Sequence, residues 1–176
     1  MDFTAVLADV ARYLDGRDRP WALVGGVGLA ALGIARTTLD LDLVVEADVQ
    51  GELVGWLERE GYETLHRSAG YSNHLHTDPR RGRVDVVYVD AATALQLFPD
   101  CREVDGPGGL RVRVPRPEHL AAMKVTAMKS DPARRFQDLA DIRALALLPG
   151  VDRQEIRRAF SRNALEALWD ELAATL

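Results

Sequence analysis

Apolar and polar positions alternate along this chain in two rhythms, and the change from one to the other divides it. Phe3, Val6, Leu7, Val10 and Leu14 recur at helical spacing until Gly16-Arg17-Asp18-Arg19-Pro20 breaks the pattern, which predicts an amphipathic helix over 2–15. Trp21 to Val24 reads as a short buried strand running into Gly25-Gly26, and the Ala/Leu-rich stretch Val27 to Ala35 as a buried helix. Residues 39–45 switch to period two, so Asp40 and Asp42 project from one strand face and Leu41 and Leu43 from the other. A helix over 50–60 ended by Gly61, and strands at 62–67, 72–77, 83–89 and 110–114, complete the first part. Gly106-Pro107-Gly108-Gly109 is read as a turn between strands, not a domain boundary. After Pro115 and Pro117 the rhythm is helical, at 118–129, 133–148, 152–160 and 163–174.

The chain's 176 residues suffice for one core of ordinary size, and its 47% hydrophobic and 28% charged content argues against disorder or a fibrous repeat. The net charge of -5 argues against wholesale binding to nucleic acid, so any such surface must be local. A lone cysteine, Cys101, cannot form an internal disulfide, and the N-terminus lacks a basic start followed by an apolar stretch. A cytoplasmic location is expected. The longest weakly polar run, 21–35, is too short to span a bilayer, so no membrane partner is expected.

Two carboxylates side by side on a strand repel each other unless a cation, a proton or a basic partner offsets them. Mg²⁺ meets this need with hard oxygen ligands, taking a few carboxylates together with phosphate oxygens and water. Asp85, within the apolar strand 83–89, is the candidate third ligand. The plain alternative is that Asp40 and Asp42 form the solvent face of an edge strand. Gly25-Gly26 suits close approach of a phosphate, although a simple chain reversal uses the same residues, and neither a P-loop nor a dinucleotide-binding glycine pattern is present.

Strand, Gly25-Gly26, helix, thirteen intervening residues, Asp40-Leu41-Asp42 and a later strand aspartate form a more specific combination. It resembles the nucleotidyltransferase superfamily shared by DNA polymerase beta, aminoglycoside adenylyltransferases and small bacterial toxins. Gly25-Gly26-Val27-Gly28-Leu29-Ala30, Arg36-Thr37-Thr38-Leu39-Asp40-Leu41-Asp42, Lys124 and Arg135-Phe136-Gln137-Asp138-Leu139-Ala140-Asp141 look most like the AbiEii-type toxin nucleotidyltransferases. The resemblance implies an α/β (α+β) fold: a small mixed twisted sheet flanked by helices over 1–115, with a C-terminal helical region over 116–176 packed on it as one unit.

By the same resemblance, Asp40 and Asp42 coordinate Mg²⁺, two ions in all, with Asp85 as third acid and candidate general base for the acceptor hydroxyl. Gly25 and Gly26 accommodate the triphosphate of an NTP substrate, and Lys124 neutralises phosphate charge. Asp138 orients Lys124 or the nucleotide, or, like Asp141, merely pairs with Arg134, Arg135 or Arg143. Arg36 reaches a phosphate or simply ends the preceding helix. The implied activity is metal-dependent transfer of an NMP to a hydroxyl, with tRNA as the leading acceptor and a cognate antitoxin protein as a partner. A small-molecule acceptor of aminoglycoside type comes next, received by an acidic groove of Glu46, Asp48, Glu103 and Asp105. A non-catalytic nucleotide-binding or antitoxin-like module is the remaining reading.

Basic clusters at Arg80-Arg81-Arg83, Arg111-Arg113-Arg116 and Arg134-Arg135 fit an RNA end or dispersed solvating charge equally, and no interleaved aromatics for base stacking are read among them. His66, His74 and His76 lack a third metal ligand and are expected at the surface or in a substrate groove. Cys101 is expected to be an inert thiol.

Overall fold

The computed structural model describes residues 1–176. The chain divides into two compact units, Met1–Pro115 and Arg116–Leu176.

The first unit opens with α1 (Phe3–Asp15), where Asp2 meets one of the orphan N-terminal donors: its side chain accepts from the Ala5 backbone N–H at 3.0 Å. The stripe read from the sequence is the buried one, Val6, Leu7, Val10, Tyr13 and Leu14. β1 (Trp21–Leu23) leads directly into α2 (Gly25–Ala31) and then β2 (Asp40–Glu46). The helix expected at 27–35 therefore begins two residues earlier and ends four earlier. Gly33, at φ +85°, turns the chain out of it, and residues 34–39 form an irregular approach to β2.

A short 3-10 turn at Ala47–Val49 precedes α3 (Gln50–Arg59), followed by β3 (Tyr62–Arg67), β4 (Tyr71–His76) and β5 (Arg83–Val89). These strands form one mixed sheet in the order β1-β2-β5-β4-β3. β2 and β5 are parallel and the other neighbouring pairs antiparallel. The register aligns Leu41 with Val84 and His74, Leu43 with Val86 and Ser72, and Asp42 with Asp85 and Asn73. Alternation then puts the first two rows on one face and the aspartate row on the other.

Two elements escaped the sequence patterns. α4 (Ala91–Leu97) is a two-turn helix whose cap, Asp90, accepts from the Thr93 backbone N–H at 2.8 Å. β6 (Arg102–Asp105) pairs with β7 (Arg111–Val114) in a separate hairpin across the expected glycine turn.

One buried polar chain runs through the apolar rows. Ser72 Oγ lies 2.7 Å from both His74 Nε2 and the Tyr88 hydroxyl, while Thr64 Oγ1 meets His74 Nδ1 at 3.1 Å and donates to Glu58 at 2.8 Å. His74 is fully buried, so the surface or groove position expected for it is wrong. The hydroxyls supply partners to both ring nitrogens, which is what lets an imidazole sit among Leu41, Leu43 and Val84. Burial pushes the His74 pKa below its ordinary value.

The second unit is helical: α5 (Pro117–Ser130), α6 (Arg135–Ala146), α7 (Arg153–Arg162) and α8 (Glu166–Ala173). Leu120, Val125, Ile142, Leu145, Ile156 and Phe160 are buried, and Trp169 packs on Phe160 at a ring-centroid distance of 5.5 Å. Glu118 is buried as well, accepting from the Asp152 backbone N–H at 2.8 Å at the start of α7. No helix is long and apolar enough to cross a membrane.

Candidate acidic centre

Parallel pairing of β2 with β5 sets Asp42 directly beside Asp85, and the period of two returns Asp40 to the same face. Carboxylate oxygens of Asp40, Asp42 and Asp85 all lie within 4.8 Å of one another. At that separation, with an effective dielectric of about 20, each like-charged pair costs roughly 3–4 kcal/mol. Three such pairs approach the whole stability of an ordinary domain, so the cluster requires compensation.

Part of it is built in. Tyr71 donates its hydroxyl to Asp85 Oδ2 at 2.7 Å, Asn73 Nδ2 donates to Asp85 Oδ1 at 2.6 Å, and Arg83 Nε donates to the same oxygen at 3.0 Å. Burial, and then this bond to Asp85, raise the Tyr71 pKa, so the phenol keeps the proton it donates. The Thr38 hydroxyl donates to Asp40 Oδ1. The remaining demand suits a divalent cation: three convergent hard oxygen donors are the ligand set that Mg²⁺ takes. The residues present fit the ion.

The glycines serve this centre through packing. Gly25 has φ +60°, and a Cβ there would lie 1.9 Å from Asp42 Oδ2; at Gly26 it would lie 2.5 Å from Thr38 Cβ. At Gly28 it would meet the Leu23 carbonyl oxygen at 2.9 Å. The start of α2 is thus pressed against the two residues that shape the acidic pair. Arg36 lies beyond α2, where its Nη1 donates to the Thr37 carbonyl at 2.7 Å, so it does not end that helix.

Lys124, Asp138 and Asp141 come together within the second unit. The Lys124 ammonium donates to Asp138 Oδ1 at 2.9 Å and lies 2.6 Å from Asp141 Oδ2. Asp138 is 1% exposed, and its other oxygen has only the Arg134 guanidinium nearby, at 3.6 Å. The arginine pairing considered for these two aspartates is therefore secondary: Lys124 is the cation held between them.

Several residues around these positions were not singled out from sequence. Tyr71 and Asn73 occupy alternate positions of β4, and that period-two pattern of hydrogen-bonding side chains facing Asp85 was the available signal. Phe136, in Arg134-Arg135-Phe136, is 87% exposed, so an aromatic does stand among the arginines after all. Most of the other expected cations are committed elsewhere: Arg80 to Asp78 at 2.8 Å, Arg81 to Asp9 at 2.6 Å, Arg111 to Asp105 at 2.9 Å and Arg116 to Glu155 at 2.7 Å.

Solved structures share the fold that carries this acidic centre. The antibiotic-resistance factor ANT(2'')-Ia in solution superposes with a TM-score of 0.67 at 19% identity, over 99% of this chain and 96% of that one. An antigenic nucleotidyltransferase-like protein from Paracoccidioides brasiliensis gives 0.56 at 18% identity, over 98% and 93%. The lincosamide antibiotic adenylyltransferase LnuA, lincomycin-bound, gives 0.53 at 15% identity, over 81% and 96%. At these identities the likeness establishes the fold. The family follows from the sequence itself: residues 9–170 match the nucleotidyl transferase AbiEii toxin of Type IV toxin–antitoxin systems, and the chain belongs to that family. It is a nucleotidyltransferase enzyme. No curated protein matches the sequence.

Proposed function

We infer that the chain transfers an NMP from an NTP to a hydroxyl of RNA, with tRNA as the leading acceptor, and that Asp40, Asp42 and Asp85 hold Mg²⁺ for the reaction. The convergence of these three carboxylates, in a member of a toxin nucleotidyltransferase family, carries the reading. When bound, the divalent cation supplies charge stabilisation for the transferring phosphoryl group and the departing pyrophosphate. Asp40 and Asp42 contribute ligand oxygens, with Thr38 and the packed glycines fixing their approach. Asp85 is assigned to the same ligand set through Oδ2, which accepts from Tyr71 and keeps a second lone pair, and the candidate general-base role for the acceptor hydroxyl would draw on that same oxygen.

Gly25 and Gly26 are assigned to triphosphate accommodation, and Arg36 and Lys124 to phosphate contact, with Asp138 and Asp141 orienting the Lys124 ammonium. RNA is favoured over a polycationic antibiotic by two observations. The exposed Phe136 beside Arg134 and Arg135 offers a base-stacking surface with cations for phosphate. The acidic groove needed by a polycation is largely neutralised: Asp48 pairs with Arg19, and Glu103 and Asp105 with Arg111. A small-molecule acceptor is the second reading, favoured by the fold shared with ANT(2'')-Ia, which has been seen with adenylyl-2''-tobramycin. Family membership supports an antitoxin protein as a further partner.

The deciding experiment incubates the protein with each α-³²P-labelled NTP and Mg²⁺, together with total tRNA or a panel of aminoglycosides and lincosamides. Asp40→Ala/Asp42→Ala is the control. Metal- and aspartate-dependent label on tRNA is expected. Label on the antibiotics alone replaces the acceptor assignment, and no transfer to any acceptor removes the proposed activity.

A further inference from the structure

Arg83 opens β5 directly opposite Asp40 in the parallel pair and two residues before Asp85. Its Nε donates to Asp85 Oδ1 at 3.0 Å; the arginine side chain is 45% exposed, that of Asp85 8%. Asp85 does not depend on this contact for its position, because Tyr71 and Asn73 already fix one oxygen each at 2.7 and 2.6 Å. Arg83 adds a positive charge at the accessible edge of three convergent carboxylates.

A guanidinium cannot shed its proton in a protein, so when a divalent cation enters the same cluster the repulsion is relieved only by movement. The exposed stem permits movement, and the planar fork of donors matches a phosphate group. We propose that Arg83 is a resident counter-cation of the acidic centre, acting on Asp85. It offsets one charge of the metal-free cluster, is driven off Asp85 by divalent-cation loading, and is then passed to the triphosphate, so that metal and nucleotide load together. The proposal rests on the reading of Asp40, Asp42 and Asp85 as a metal centre.

The test uses full-length protein stripped with EDTA and titrated with Mn²⁺ by calorimetry, with Arg83→Gln, Arg83→Lys and Asp40→Asn alongside the wild type. Inorganic tripolyphosphate serves as a base-independent probe. Without phosphate, Arg83→Gln binds Mn²⁺ roughly three- to tenfold more tightly than wild type, while Arg83→Lys stays close to it. With saturating Mn²⁺, Arg83→Gln binds tripolyphosphate more weakly by a similar factor. Its thermal midpoint in EDTA falls below that of the wild type and rises further on adding Mn²⁺, which separates loss of charge compensation from misfolding. Wild-type Mn²⁺ binding without tightening in Arg83→Gln overturns the counter-cation role alone. Unchanged tripolyphosphate affinity overturns the handover. Absence of Mn²⁺ binding in the wild type overturns the metal centre and this proposal with it.

Discussion

Replacing Gly25 with alanine perturbs the acidic centre from its back wall. The backbone there sits at φ +60°, and the added methyl would lie 1.9 Å from Asp42 Oδ2, 2.3 Å from its Cγ and 2.6 Å from its Cβ. The left-handed conformation alone costs a side-chain-bearing residue roughly 1–2 kcal/mol. Overpacking against a neighbour with little room adds about 1–3 kcal/mol. Gly33 supplies a matched control, since its φ is +85° and an added Cβ would meet nothing within 4 Å. Gly33→Ala therefore carries the backbone cost without the collision. For a chain of this size the expected falls in thermal midpoint are roughly 5 °C for Gly33→Ala and 10 °C for Gly25→Ala. The two differ more in chemistry. Pushing the Asp42 carboxylate aside by about an ångström lowers NMP transfer on the order of a hundredfold in Gly25→Ala, whereas Gly33→Ala stays close to wild type. Differential scanning fluorimetry and the labelled-NTP assay read both effects on the same preparations. Equal stability losses in the two variants, with transfer intact in Gly25→Ala, would refute the claim that this glycine makes room for Asp42.

Lys124→Ala leaves Asp138 and Asp141 buried without their ammonium and costs about 3–5 kcal/mol in chemical denaturation; adding Asp138→Asn and Asp141→Asn recovers most of the stability but no transfer activity. The His74 pKa is lowered by burial, so the unfolded chain binds more protons below about pH 6.5 and stability declines from there as pH falls towards the folded value. The thermal midpoint should fall over that window in the wild type and flatten in His74→Gln; an identical slope in both assigns the dependence elsewhere. Burial raises the Cys101 pKa to about 11, and its Sγ donates to the Leu97 carbonyl at 3.3 Å, so the thiol reacts slowly with iodoacetamide at pH 8 and Cys101→Ser leaves transfer unchanged.

What could be read from the sequence tracks how locally each feature is encoded. The Asp40-Leu41-Asp42 alternation needs only its own strand, and the stripe of α1 only its own helix, so both were visible. The partnership of Asp85 with Asp42 depends on strand register, a tertiary fact that one strand's pattern does not contain. β4 reads as polar because Ser72 and His74 are satisfied by side chains from β3 and β5, which made a buried imidazole look like a surface one. α4 and β6 are too short to complete a convincing period, although Asp90 directly before the Ala/Leu run was an N-cap signal. Lys124 with Asp138 and Asp141 shows the limit from the other side. The resemblance offered Lys124 as a partner for Asp138, but the local pattern left the nearby arginines equally open, and the packing of α5 on α6 brings the lysine to Asp138 and Asp141 together.

The single parallel pairing in the sheet also has a temporal meaning. β2 and β5 cannot be joined by a tight turn, and α3, β3 and β4 are all synthesised before Asp85 can arrive beside Asp42. A nascent chain halted before β5 carries the acidic pair but not the third carboxylate, Arg83 or the completed row. The acidic centre is therefore completed by the most non-local strand pairing in the sheet, and no shorter stretch of the chain contains all three carboxylates.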